Sequence, residues 1–149
     1  MKNKTKHNLI WGPLFLIGIG AVGLGLCWLV HTEPWMLDQL PNEALLQTSF
    51  SNLFASDINT YLPEYLRVIY RFLGLWVISI GLLIITYVQV TRLGTPLSRI
   101  SILGVLFCIL IGIGYMVFNF IPLSPFTTIL YLQAGLLITS AYFSTQLKD

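Results

Sequence analysis

The sequence predicts an all-α membrane protein: one membrane domain over residues 1–149, built as an antiparallel bundle of four transmembrane helices. Both termini are expected in the cytoplasm, with one larger outer loop over residues 31–64. Three observations predict this: an apolar composition, four long segments almost free of charge, and basic residues gathered in three short stretches. Hydrophobic residues make up 56% of the chain and charged ones only 9%. A soluble domain carries roughly 25% charged residues, so this chain lacks the charge to cover a water-facing surface. The net charge of +2 is too small to argue for nucleic acid, no basic run is interleaved with aromatics, and no nucleic-acid partner is expected.

Residues 9–30 carry no charge. As a helix they reach about 33 Å, enough for the hydrocarbon core. A basic head before an apolar run also resembles a signal peptide. The run is too long for that, and no A-x-A site follows it. Leu26 stands before Cys27 where a lipoprotein signal needs a small residue, so the segment is expected to remain as an anchor. The polar loop 31–64 is broken by Pro34, Pro41 and Pro63. Within it, Leu45, Leu46, Phe50, Leu53 and Phe54 predict one short amphipathic helix over residues 42–54, on the membrane surface or capping the bundle. The second span is 66–90. A turn at 91–99 with Gly94 and Pro96 leads to the third span at 100–120. The Pro-Leu-Ser-Pro turn at 122–125 then opens the fourth at 126–146.

Orientation follows from charge. Lys2, Lys4, Lys6, Arg92, Arg99 and Lys148 are six of the eight basic residues and fall on one side of a four-span chain. Glu33, Asp38, Glu43, Asp57 and Glu64 fall on the other. The positive-inside rule puts the first side in the cytoplasm.

Lipid tails are as apolar as leucine, so small residues and cross-helix polar contacts must hold such helices together. Each span has a stripe of them at helical spacing. The packing glycines and alanine are Gly18, Ala21 and Gly25, then Gly74 and Gly81, then Gly104 and Gly112, then Gly135. The third stripe adds Ser101, Cys108, Tyr115 and Asn119, and the fourth Thr128, Tyr131, Thr139, Tyr142 and Gln146. Arg67 and Arg71 are the only basic residues on the acidic side, one turn apart on the face of Glu64. They either snorkel to headgroups, or Arg71 makes a forked contact with Glu33, Glu64 or an anionic headgroup. Arg71, Tyr115, Asn119 and Tyr131 share the outer half, which predicts an outward-facing polar pocket there.

Reactive groups are scarce. No span holds a histidine for haem, and Cys27 and Cys108 make no redox pair. No span centre holds an acid for proton coupling, and no serine, metal or phosphoryl motif occurs. No cofactor, metal or catalytic residue is expected.

The segment Y-R-F-L-G-L-W-V-I-S-I-G-L-L (70–83), the basic turn and the proline-bearing outer turn resemble small four-span bacterial membrane proteins of unknown function. That likeness runs over residues 64–146 and implies a bacterial cytoplasmic membrane. The layout is also similar to DoxX-type membrane proteins, although their helix glutamate is missing. The expected function is a non-catalytic accessory or scaffold subunit that binds lipid, another membrane protein or a second copy. The alternative is a small carrier or lipid-handling protein working through the pocket around Arg71.

Overall fold

The computed structural model describes residues 3–147. Lys2 and Lys148, two of the residues that set the expected orientation, lie outside them. Among the described residues all regular structure is helical: α1 (Asn3–Val30), a 3-10 turn (Pro34–Asp38), α2 (Gln39–Leu46), α3 (Phe50–Ala55), a 3-10 turn (Asp57–Asn59), α4 (Leu62–Thr91), α5 (Pro96–Phe120) and α6 (Phe126–Gln146). Helices α1, α4, α5 and α6 are each long and apolar enough to cross a membrane. They run beyond the predicted spans at several ends, because the flanking polar residues continue the helix into the interface.

Local chemistry sets the boundaries. Pro63 lies in the first turn of α4, where its missing N–H costs nothing, and Glu64 beside it suits the positive end of the helix. The helix stops at Arg92 and Leu93, whose φ angles of 49° and 54° turn the chain left-handed. Thr95 then caps α5 in a reciprocal box with Ser98, with Pro96 following at the first helical position. Pro13 sits inside α1, where it withholds one N–H from the helical ladder.

Helix α1 is the hub, touching α4 along one side and α6 along another, while α5 packs on α6. The α1–α4 contact is antiparallel and backbone-close. Gly18 meets Gly81, and Gly25 meets Gly74. A Cβ added to Gly25 would lie 2.5 Å from the Gly74 carbonyl oxygen, and one on Gly74 would lie 2.7 Å from that of Gly25. Only glycine permits that approach. Against α6, the buried Ser140 hydroxyl donates to the Ile10 carbonyl at 2.9 Å, and Trp28 lies against Phe126 with ring centres 5.2 Å apart.

The stripes on α5 and α6 need correcting. Gly104, Gly112 and Gly135 do not lie at helix contacts: a Cβ at any of them meets nothing within 4 Å. The faces turned inward are Ile102, Leu106 and Val117 on α5, and Leu130, Leu137 and Ser140 on α6. Branched side chains fill that seam; Gly104 and Gly135 lie exposed at the surface, Gly112 borders open space between the helices, and the Tyr131 ring lies against Phe118 of α5.

At the turn end of α4 and α5 the interior is filled by a cluster that includes Ile10, Leu14, Val88, Leu93, Ile102 and Leu106. Tyr87 adds a hydrogen bond from its hydroxyl to the Ser98 carbonyl at 3.1 Å. Towards the 31–64 loop, α4 and α5 share no extended packing.

The loop holds two short helices where one was expected. Gln47, with φ at 53°, ends α2 left-handed, and Ser49 caps α3 by accepting from the Asn52 N–H. Glu43 closes the corner by accepting from the Phe50 N–H at 2.9 Å. Trp35, Phe50 and Phe54 cluster beneath.

Candidate functional site

The gap between α4 and α5 belongs to a cavity of about 560 Å³ reached by all four long helices. Ile17, Ile84, Leu106 and Leu137 form its floor, shared with the packed cluster. Trp28 and Phe126 stand at its loop end. Ile80, Ile113 and Met116 line it and are themselves exposed, so the cavity opens sideways. In a membrane that opening faces lipid. Its size falls in the range of roughly 300–1,000 Å³ typical of small-molecule sites.

The wall is apolar with two exceptions. Gln133 of α6 lines the cavity and makes no hydrogen bond to a described residue. Trp28 is only 7% exposed, and its Nε1 has no acceptor. Gln133 stands seven residues from Phe126 and seven from Ser140, nearly two turns each way, on one face of α6. Its neighbours in that series both meet α1, Phe126 at Trp28 and Ser140 at Ile10. Gln133, between them, shares the cavity wall with the small Ala21.

The residues expected to form a polar pocket are not brought together. Arg71 is exposed and makes no ion pair with Glu33 or Glu64 among the described residues, both of which are exposed. It is Arg67 that ties α4 to the segment after α1, its Nε donating to the Thr32 carbonyl at 3.0 Å. Tyr115 and Tyr131 are 62% and 64% exposed. Asn119 turns back to donate to the Tyr115 carbonyl at 2.8 Å. None of these residues lines the cavity. These rim residues lie at the surface, and the enclosed space lies deeper, between the helices.

Sequence reasoning also missed what holds the loop down. Asp38 is 7% exposed and accepts a 2.7 Å hydrogen bond from Ser124, in the turn before α6. Burial pushes the Asp38 carboxyl above its usual range, with the Ser124 hydroxyl working the other way. Asn42 donates to the Tyr70 hydroxyl at 2.9 Å, anchoring α2 to α4. Glu43 is held below the usual carboxylate range by the Phe50 N–H and then the Gln39 amide. The heptad Phe126–Gln133–Ser140 was readable as a line on α6. It was hidden because Thr128–Tyr131–Gly135 looks equally regular.

Comparison with models of known protein families, with curated proteins and with solved structures finds no match. Among the described residues no three His, Cys, Asp or Glu side chains group so as to hold a metal ion.

Proposed function

We propose that the protein is a non-catalytic accessory subunit of a bacterial cytoplasmic membrane, an antiparallel four-helix bundle with both termini inside. In this reading it docks another membrane protein through the outer faces of α5 and α6. One observation carries this. Ser101, Gly104 and Cys108 on α5, with Thr128 and Gly135 on α6, are exposed, and a Cβ on either glycine meets no other helix within 4 Å. Within a bilayer, small and hydroxyl-bearing surfaces gain by close helix approach and interhelical hydrogen bonds, and gain nothing from lipid tails. The glycines of α1 and α4 show what such a surface does when it finds a partner. Arg71, free at the loop-side rim, supports headgroup contact alongside.

The test is purification in mild detergent from the native membrane, comparing wild type with a Gly104→Leu, Gly135→Leu double variant. A Cβ at either glycine meets nothing within 4 Å, and circular dichroism checks that the variant keeps its helicity. The expected result is one co-purifying membrane protein in stoichiometric amount, lost in the variant. A wild-type protein that is monomeric and free of any partner would sink the proposal. A self-association lost in the variant would identify the partner as a second copy.

A further inference from the structure

We infer that the cavity between α4 and α5 is a binding site for one neutral long-chain lipid whose hydroxyl or carbonyl oxygen bonds to the Gln133 amide. This goes beyond the partner-docking reading and stands on different residues. The lateral opening lets a molecule enter from the bilayer, and the apolar walls suit a hydrocarbon body. The amide selects the head. Gln133 lies about 10 Å along the helix from Phe126, the first residue of α6, which places it inside the hydrocarbon layer. An amide at that depth without a partner is unfavourable. Water does not relieve it, because an ordered water needs about two to four polar partners and this wall offers too few. A lipid carbonyl can accept from an amide N–H, and a hydroxyl can accept from an N–H or donate to the amide oxygen, so one molecule brings the amide a partner.

The same wall excludes other heads. No Lys, Arg or His lines the cavity, so a carboxylate or phosphate would be buried without a counter-charge. A phospholipid reaching Gln133 with an ester carbonyl would drag its phosphate into that region.

The experiment uses the full chain in phosphatidylcholine liposomes and a hexadecanol probe with a photoreactive diazirine in its chain. Labelling is expected to be saturable and to map to cavity residues such as Ile113 and Met116. Unlabelled hexadecanol should compete, while hexadecane and palmitate should compete at least several-fold less well. Gln133→Leu should weaken hexadecanol competition roughly three- to tenfold, the worth of about one hydrogen bond. Gly112→Phe fills space where a Cβ meets nothing, and should abolish labelling while helicity stays at the wild-type level. Equal competition by hexadecane, or labelling that Gln133→Leu leaves unchanged, overturns the hydrogen-bonded head. Labelling that does not saturate, or maps outside the cavity, overturns the site.

Discussion

Gly25 and Gly74 exclude each other's Cβ, and Gly18 and Gly81 do nearly the same one heptad away. A methyl group at Gly25 would meet the Gly74 oxygen and the Ile78 backbone nitrogen. Neither atom can move without moving α4. Overpacking of this kind costs about 1–3 kcal/mol. Gly25→Ala and Gly74→Ala are therefore expected to lower the unfolding temperature in detergent. Gly104→Ala and Gly135→Ala should hold it or raise it slightly, because open space surrounds them and alanine favours helix by about 1 kcal/mol. If all four substitutions behave alike, the difference between buried and outward glycines carries no energy and the packing described for α1 and α4 is wrong.

The loop elements are held by a few polar contacts, which makes them sensitive to acidity. Asp38 has a folded pKa above its reference value of 3.8. Its protonated form favours the docked loop, so that stabilisation is complete below the unfolded value and lost as pH rises through the folded one. Glu43 runs the other way: its contribution is present above its reference value of 4.5 and lost as pH falls through the lowered folded value. Asp38→Asn keeps an acceptor for Ser124 and removes the charge, which isolates the first effect. Relative to wild type, the variant should unfold at higher temperature near neutral pH, with the difference shrinking as the pH falls towards 4. Circular dichroism melts across that range decide it, and a variant less stable at neutral pH, or an offset that ignores pH, would refute the assignment. Contacts such as Asp38–Ser124 join residues 86 positions apart, so no local pattern announces them. The amphipathic spacing over 42–54 was legible, but the left-handed residue at Gln47 that splits it was not.

At the scale of the molecule, the proposed four-span topology puts residues 52 and 95 on opposite sides of the membrane. Both Asn52 and Thr95 are exposed, and the two natural cysteines stand on helix faces of their own. In a Cys27→Ala, Cys108→Ala background, Asn52→Cys should react with an impermeant thiol reagent in intact cells. Thr95→Cys should react only after the membrane is opened. Reaction of both in intact cells would overturn the four-span arrangement.

By itself the sequence determined the number and approximate places of the long apolar helices, each of membrane-spanning length. Those follow from hydrophobic length and from residue type, which are local properties. The tertiary structure alone decided which side of each helix faces inward. On α5 and α6 the small-residue line and the branched line are both periodic at one turn, and in lipid either can be buried, because hydrophobicity does not favour one over the other. Shape complementarity chose the branched line, through Ile102, Leu106, Leu130 and Leu137. That choice turned Gly104 and Gly135 outward. Where α4 and α5 fail to pack towards the loop, it also left the cavity on whose wall Gln133 stands.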